Sequence, residues 1–433
     1  MAVGDAMGLP AKSMKPETVR QLFGSMDDFK DVRPFIGKGV KQFKMEGLYG
    51  GQTQSALAIA DSLLKNKKRE LSKISQLLIK LSASGPDHYF GVYRRPEKGF
   101  FQSVVSLMEE PSRIAKHNRA DATFLAMGIP ASLLHRDRPE AGIHLNLDIG
   151  LMMSRNLCEV TGLALTGYLA SRLLPLEPRN DGEAVTQAEQ ILIDAEEFCQ
   201  KIETRFRETA PNLWDDTPES ERGMLEQTIK SLREQWSVRF DELLSWICQN
   251  ASDRHKTKII SPVQGYVLTL LPLCLLLVLR EGRGFDSSLT TGLNMGKEAD
   301  KTGILVGIWA GAMYGWQGIP ESWRSSLVNG KEIRLRGEGL FFGRFPKEAK
   351  GIYEMELGLT RKEFEVGKKY LSKPSTKFTR PTPRPMLSWE DEDTNEPIIP
   401  EKSDVVNWRK FQKDKSKFKK NRRKHLKRNN EAY

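Results

Sequence analysis

The stretch TGILVGIWAGAMYGWQGIPESWRSSL, residues 302–327, carries the strongest information about the fold. It is apolar on almost every side, and it places a glycine at every fourth position: Gly303, Gly307, Gly311 and Gly315. Each glycine inside a helix costs about 1 kcal/mol relative to alanine. The stripe therefore predicts a helix near residues 302–314 that lies centrally and packs closely against a second backbone. Pro320 is expected to end this helix or to open the next one.

Helical patterns dominate the rest of the first 330 residues. Residues 50–84 place leucines and isoleucines at helical spacing, with Lys and Glu between them. Residues 150–174 are apolar nearly all round, which is typical of a helix in the middle of a bundle. The longest apolar run, residues 267–279, is too short to span a membrane and predicts a buried helix. The sequence thus predicts an all-α fold, with residues 1–330 forming one helical domain.

An acidic segment, residues 181–250, interrupts this pattern. It holds seven Lys or Arg and 16 Asp or Glu, a net charge of −9. Two amphipathic stretches, 183–209 and 218–249, predict a helical hairpin, with a cap at Asp216 or Thr217 before the second arm.

The sequence after residue 330 divides into three parts. Residues 331–372 are expected to form a small extension packed on the body, and the alternation in 331–345 predicts a β-hairpin there. Residues 373–407 are rich in proline and predict an extended linker. Residues 408–433 form a basic tail. From residue 401 to the end, 13 Lys or Arg stand against four Asp or Glu, whereas the whole chain carries only +11.

The tail has the composition of a polyanion-binding segment. Its cations can neutralise phosphates, and its aromatic side chains can stack on unpaired bases. The candidate binding residues are Lys410, Lys413, Lys415, Lys417, Lys419, Lys420, Arg422, Arg423 and Lys424, together with Trp408 and Phe411. RNA or a ribonucleoprotein is the partner that this pattern favours. A solubilising or targeting tail, an anionic membrane surface and an acidic protein remain alternatives.

The four cysteines are far apart and form no C-x-x-C pair, which argues against a disulfide scaffold and a zinc site. They suit the cytoplasm or another reducing compartment. Met1 leads directly into the globular pattern, so neither a signal peptide nor a transmembrane segment is expected.

Three separate segments resemble the ADP-ribosylglycohydrolase family, which includes the dinitrogenase reductase-activating glycohydrolases. They are AVGDAMGLPAK (residues 2–12), LYGGQTQSALAIADSLL (48–64) and GLNMGKEADKTGILVGIWAGAMYGWQGIPESW (292–323), and NRADATFLAMGIPASLL (118–134) is a weaker match. The resemblance implies a single all-α domain, with a cleft that holds two Mg²⁺ ions.

This sequence departs from the family where the family binds metal. The acid that ends the family motif G-D-A-L-G-x-P-x-E is replaced by Lys12. The first three residues of T-D-D-T-Q, which bind metal in the family, correspond to Gly50, Gly51 and Gln52. In the last motif, G-G-D-x-D-T, the two acids correspond to Glu298 and Asp300, and the threonine to Lys301. Asp5, in the first motif, is expected to cap the first turn of its own helix.

These departures predict that the metal site has been dismantled. Two Mg²⁺ ions need several carboxylates to offset their mutual repulsion, and here two acids remain while two lysines have arrived. We therefore expect no metal or other cofactor, and an ion pair between Lys12 or Lys301 and one of the acids.

The sequence accordingly favours a catalytically degenerate protein that serves as a scaffold or binding module, tethered by its tail to RNA or a ribonucleoprotein. One alternative is a working ADP-ribosyl hydrolase that uses Glu298 and Asp300 with one Mg²⁺ ion or none. Another is a protein that binds an ADP-ribosyl group or nucleotide in the cleft without cleaving it, with Lys12 or Lys301 meeting the phosphate charge.

Overall fold

The backbone folds as the helical pattern of the sequence predicts. The computed structural model describes residues 1–66, 68–86, 89–109, 115–174 and 181–371. Within these ranges the chain forms eighteen α-helices and no β-sheet, so the all-α prediction is confirmed. In chain order, the helices are α1 (Ala2–Gly8), α2 (Pro16–Phe23), α3 (Gly51–Lys65), α4 (Leu71–Ser82), α5 (Lys98–Glu109), α6 (Ile129–Leu134), α7 (Pro139–Met153), α8 (Leu157–Leu173), α9 (Asp181–Thr209), α10 (Pro211–Asp216), α11 (Met224–Glu234), α12 (Phe240–His255), α13 (Val267–Leu276), α14 (Phe285–Asn294), α15 (Ala299–Gly318), α16 (Glu321–Ser326), α17 (Gly330–Phe342) and α18 (Ile352–Leu371).

Helix α15 lies at the centre of the body. It packs against α1, α8, α13 and α14, and its first twelve residues are all buried. A Cβ placed on Gly303 would lie 2.2 Å from the carbonyl oxygen of Gly4, and one on Gly4 would lie 1.8 Å from the carbonyl oxygen of Gly303. The close backbone contact predicted from the glycine stripe is therefore confirmed, and α1 is the helix that makes it.

The second half of the stripe behaves differently. Among the described residues, a Cβ on Gly311 would meet only the ring edge of Phe285, at 3.7 Å. Gly315 has a φ of 69°, which breaks the helical geometry, and it faces open space. The prediction of a uniform packing stripe is wrong for Gly315, because this glycine allows the backbone to bend at a φ that other residues rarely adopt. Pro320 opens α16, as expected.

The acidic segment forms a more divided structure than a hairpin. Its first arm is α9, as predicted, but the second arm is split into α11 and α12. The predicted cap at Asp216 or Thr217 is wrong, because α11 begins only after Gly223, whose N–H donates to the Glu203 carboxylate at 2.9 Å. The Arg280 guanidinium donates to carbonyl groups between α11 and α12, which stabilises that break.

The predicted β-hairpin at residues 331–345 is wrong, since α17 occupies most of this stretch. Ion pairs at i,i+4 spacing, Glu332–Arg336 and Arg334–Glu338, support a helix there. The buried Arg336 guanidinium also donates to Asp61 of α3 at 2.6 Å, which holds α17 on the body. Tertiary contacts therefore override the strand-like alternation of the sequence.

The last described helix, α18, also packs on α3. The predicted linker (residues 373–407) and basic tail (408–433) lie outside the described residues. The four cysteines are free thiols. None of the helices described is both long and apolar enough to cross a lipid bilayer.

Candidate functional site

A small cleft opens where several parts of the chain meet. It is lined by residues of α1 and the turn that follows it, by the N-termini of α3 and α15, and by the segment before α5. Its empty volume is about 390 Å³, part of which is open to solvent. The residues at its wall include Lys12, Gly50, Gly51, Gln52 and Asp300, so the fold brings together most of the candidate site residues.

Lys12 bridges two carboxylates across the cleft. Its Nζ lies 2.6 Å from Asp300 Oδ2 and 2.9 Å from Glu97 Oε1. Asp300 is 4% exposed, so its charge is almost wholly removed from water. A buried carboxylate requires a partner, and here the ammonium group of Lys12 supplies it.

Lys301 makes a second bridge from the first turn of α15. Its Nζ lies 3.0 Å from Glu97 Oε2 and 3.3 Å from Glu298 Oε2. The expected ion pairing of a lysine with these acids is therefore present for both lysines. Glu97, which the sequence analysis did not identify, connects them through its two oxygens. We call this arrangement of Lys12, Lys301, Glu97, Glu298 and Asp300 the lysine–carboxylate cluster.

The charges of the cluster shift the pKa values of its members. Burial alone would favour a neutral Glu97, yet Lys301 and Lys12 lower the pKa of this carboxyl group to about 2. Burial would likewise lower the pKa of each lysine, but the surrounding carboxylates outweigh it and raise the pKa of both. Glu298 differs, because burial and the neighbouring Asp300 raise its pKa in spite of Lys301. Both ammonium groups thus stay charged at neutral pH.

Asp5 caps α3 rather than its own helix, so the expected local cap is wrong. Its buried carboxylate accepts hydrogen bonds from the backbone N–H of Gly50 (3.0 Å) and of Thr53 (3.4 Å), and from Thr53 Oγ1 (2.6 Å). These donors lie at the N-terminus of α3, where a negative charge is favoured by the helix dipole. Burial raises the pKa of Asp5, while the Thr53 hydrogen bond opposes this shift.

Gly51 and Gln52 form the first turn of α3 at the cleft. A Cβ on Gly51 would lie 2.9 Å from the carbonyl oxygen of Arg94, so a larger residue requires the backbone to move. Gly50 is less restricted, since its Cβ would lie 3.2 Å from Asp5 Oδ1. The amide nitrogen of the Gln52 side chain is buried and has no hydrogen-bond partner among the residues that the structure describes. The acidic residues of the family motif are therefore replaced here by residues that supply no carboxylate.

The sequence model of the family described as ADP-ribosylglycohydrolase matches residues 1–348. The chain belongs to the ADP-ribosylglycohydrolase family. A solved structure titled "ADP-ribosylglycohydrolase-related protein complex" is similar to it, with a TM-score of 0.52 and 18% sequence identity over 79% of this chain and 94% of the other. That likeness supports the fold. No curated protein matches the chain.

The residues at the cleft of this ADP-ribosylglycohydrolase family member do not fit the pair of Mg²⁺ ions that the resemblance implies. Each acid of the cluster already contacts a lysine ammonium group at 2.6–3.3 Å. A divalent ion placed 4 Å from one ammonium group would be repelled by about 8 kcal/mol at an effective dielectric constant of 20. Mg²⁺ also needs several oxygen ligands, and positions 50–52 contribute no carboxylate.

The two residues of the T-D-D-T-Q motif that this ADP-ribosylglycohydrolase family member retains, Thr53 and Gln54, have structural roles. Thr53 bonds to Asp5, as described above. The Gln54 side chain donates to Glu356 Oε2 (2.7 Å) and accepts from the backbone N–H of Arg94 (2.7 Å). Arg94 and Glu356 form a fully buried ion pair at 2.8 Å, and Tyr49 donates to the same carboxylate at 2.6 Å. This network joins α3 to α18.

The sequence motifs identify four of the five residues of the lysine–carboxylate cluster but not Glu97. Lys12, Glu298, Asp300 and Lys301 were found because they stand at motif positions. Glu97 lies in YRRPEKG, residues 93–99, which carries no pattern that distinguishes it from an ordinary loop before a helix. The candidate binding residues of the tail, between Trp408 and Lys424, lie outside the described part of the chain.

Proposed function

We propose that this ADP-ribosylglycohydrolase family member has lost hydrolase activity and acts as a scaffold or binding module, tethered by its basic tail to RNA. The observation that carries the first part is the lysine–carboxylate cluster, in which Lys12 and Lys301 contact every acid at the position of the family's metal site. Each ammonium group is covalently attached to the chain and needs no ion from solution. The two ammonium groups offset most of the charge of the three acids, so the cluster retains little negative charge with which to hold the divalent ions of metal-dependent hydrolysis.

The tail supports the second part of the proposal. Twelve Lys or Arg residues occur between Arg409 and Arg428, and Trp408, Phe411 and Phe418 lie among them. Cations neutralise phosphates and aromatic rings stack on unpaired bases, so this composition suits single-stranded RNA.

Two measurements on the same sample of the full chain test the loss of activity. Isothermal titration calorimetry with Mg²⁺ is expected to give no binding heat. With peptides ADP-ribosylated on arginine or serine, the release of ADP-ribose is expected to be no faster than in a control without protein, with or without Mg²⁺. Robust Mg²⁺-dependent hydrolysis would instead establish a working hydrolase. Binding of ADP-ribose without turnover would favour a protein that recognises the group and does not cleave it.

Restoring the family residues tests whether hydrolase activity is absent because the metal site has degenerated or because the cleft has acquired a different activity. The variant Lys12→Glu, Gln52→Asp, Lys301→Thr returns three acids or ligands to the family positions, and it is expected to bind Mg²⁺. Adding Gly51→Asp restores the first acid of the T-D-D-T-Q motif but places a Cβ against the Arg94 carbonyl group. The triple variant avoids this clash and is expected to fold more stably than the quadruple variant. The quadruple variant tests whether the Mg²⁺ affinity gained from a fourth ligand exceeds the cost of the clash. A thermal melt of each variant with and without Mg²⁺ reports binding independently of activity.

The tail is tested by the salt dependence of RNA binding. For a single strand, the log–log slope against salt is about 0.7 per phosphate neutralised. If half of the twelve cations are engaged, the slope is expected to be about −4, with little dependence on sequence. Removing residues 408–433 should abolish this binding and leave the thermal melt of the body unchanged. Equal RNA binding by the shortened chain would refute the tail as the contact.

A further inference from the structure

Three segments bring exposed aromatic rings and arginines together at one corner of the body, and none of these residues lines the cleft. They are the chain after α3, the turn after α6 and the end of α17. We call this set the aromatic–basic corner: Arg69, His135, Arg136, Arg138, Phe341, Phe342 and Arg344. The segments are joined directly, because Arg69 Nη1 lies 2.6 Å from His135 Nε2, and Arg136 Nη1 donates to the Phe341 carbonyl oxygen at 3.1 Å.

The aromatic residues of the corner are unusually open to water. Phe341 is 58% exposed and Phe342 is 64% exposed, and their rings meet edge to face with centroids 5.1 Å apart. Large apolar side chains grouped on a surface in this way commonly mark an interaction site. Each ring also has a guanidinium group nearby: Arg136 lies 4.3 Å from the centroid of Phe341, and Arg344 lies 5.8 Å from that of Phe342.

The corner has a local excess of positive charge. Within the described residues, its four arginines make one ion pair, Arg136 to the exposed Asp137 at 3.4 Å. Arg69 donates to a histidine ring instead of a carboxylate. Burial, Arg69 and Arg138 together lower the pKa of His135 to about 4, so this imidazole stays neutral and adds no further cation. Burial and Arg138 lower the pKa of Arg69 as well, which records the mutual repulsion of the two arginines.

We propose that the aromatic–basic corner binds single-stranded nucleic acid, with phosphates at Arg69, Arg136, Arg138 and Arg344 and a base stacked on the exposed face of Phe341 or Phe342. The site shares its ligand class with the proposed tail contact but consists of different residues and does not depend on the tail.

The composition of the corner favours this ligand over a protein surface. The arginines of the corner repel one another, and a chain of phosphates relieves that repulsion at several points at once. Exposed rings beside arginines offer a stacking platform that any base can use. A second copy of this chain would bring four more arginines to the same place, which opposes self-association through the corner.

The test compares two variants of the full chain in binding a fluorescein-labelled oligouridine, measured by anisotropy. Phe341→Ala/Phe342→Ala removes the stacking platform and is expected to weaken binding about tenfold, which equals about 1.4 kcal/mol and falls within the range for one stacked base. Arg136→Gln/Arg138→Gln/Arg344→Gln removes three cations and is expected to reduce the salt slope by about 2.

Each variant has a matched control. Ile260→Ala removes an apolar side chain that is 70% exposed and lies elsewhere. Arg205→Gln/Arg207→Gln/Arg239→Gln removes the same formal charge from the acidic segment. Both controls are expected to bind like the unmodified chain. Thermal melts of all variants identify any loss of folding, and ultraviolet crosslinking to the oligouridine, with mapping of the linked peptides, reports the site in the unmodified chain.

A chain in which the tail cations from Lys410 to Lys424 are changed to Gln separates the two contacts. Weak residual binding that Phe341→Ala/Phe342→Ala abolishes would support the corner. If the corner variants keep full affinity and normal melts, and crosslinks map only to the tail, the corner proposal is overturned while the tail proposal stands. Dimerisation that Phe341→Ala/Phe342→Ala disrupts, without any oligouridine binding, would also overturn it.

Discussion

Replacing Lys301 by methionine removes one ammonium group of the lysine–carboxylate cluster and keeps a side chain of similar shape. Lys301 is 4% exposed, and its Nζ lies 3.0 Å from Glu97 and 3.3 Å from Glu298. Breaking a buried ion pair by removing one partner costs about 3–5 kcal/mol. The two carboxylates are 22% and 27% exposed, so water recovers part of that cost. We expect the free energy of unfolding at pH 7 to fall by about 2–3 kcal/mol.

This loss should become smaller in acid. The lysines lower the pKa of folded Glu97 to about 2, below the ordinary value of about 4.3 for an unfolded chain. Ionised Glu97 therefore stabilises the fold above pH 4.3, and this contribution disappears as the pH falls towards 2. At pH 3 we expect Lys301→Met to cost about half of what it costs at pH 7.

Urea unfolding followed by circular dichroism at pH 7 and pH 3 measures both quantities. Lys230→Met is the control, because Lys230 is exposed on α11 and its loss should change the free energy of unfolding by less than about 0.5 kcal/mol. A Lys301→Met protein as stable as the unmodified chain at pH 7, or one whose loss is the same at both pH values, would refute the reasoning.

Three further predictions concern the rest of the body. Gly303→Ala should destabilise the fold by more than about 2 kcal/mol, because its Cβ meets backbone, whereas Gly311→Ala should be neutral or stabilising by up to about 1 kcal/mol; equal effects in urea unfolding would contradict this. Arg94→Met should cost about 3–5 kcal/mol by leaving Glu356 buried without its cation, and a loss below about 1 kcal/mol in the same assay would show that the pair is unimportant. Burial raises the pKa of Glu203 to about 7, so the folded chain holds an extra proton between about pH 4.3 and 7, and its stability falls as the pH rises through that window. Relative to the unmodified chain, Glu203→Gln should therefore gain about 1–2 kcal/mol between pH 5 and pH 8, and a pH-independent difference would rule this out.

The sequence predicted the helical class and the central helix because both depend on local pattern. A glycine at every fourth position has a large helical cost, and only close packing offsets it. The β-hairpin expected at residues 331–345 failed because the alternation there is local, whereas the contact of Arg336 with Asp61 joins residues 275 positions apart. Sequence periodicity carries no information about such a contact.

The same distinction applies to the site. Lys12 and Lys301 could be recognised as replacements because they stand within motifs. Glu97 could not, since its role depends on two lysines that lie 85 and 204 positions away from it along the chain. Asp5 shows the opposite error. Its position in the sequence predicts a cap for its own helix, but the fold places its carboxylate at the N-terminus of α3.

The buried network of Tyr49, Gln54, Arg94 and Glu356 determines when this chain can finish folding during its synthesis. The carboxylate that pairs with Arg94 belongs to Glu356 of α18, which ends at Leu371 and is synthesised long after Arg94. The N-terminal quarter of the chain can therefore complete its packing only after α18 has left the ribosome. A protein that ended at residue 348, where the family match stops, would lack this helix and leave Arg94 without the Glu356 carboxylate. Docking of α18 is thus the step that completes the burial and pairing of Arg94.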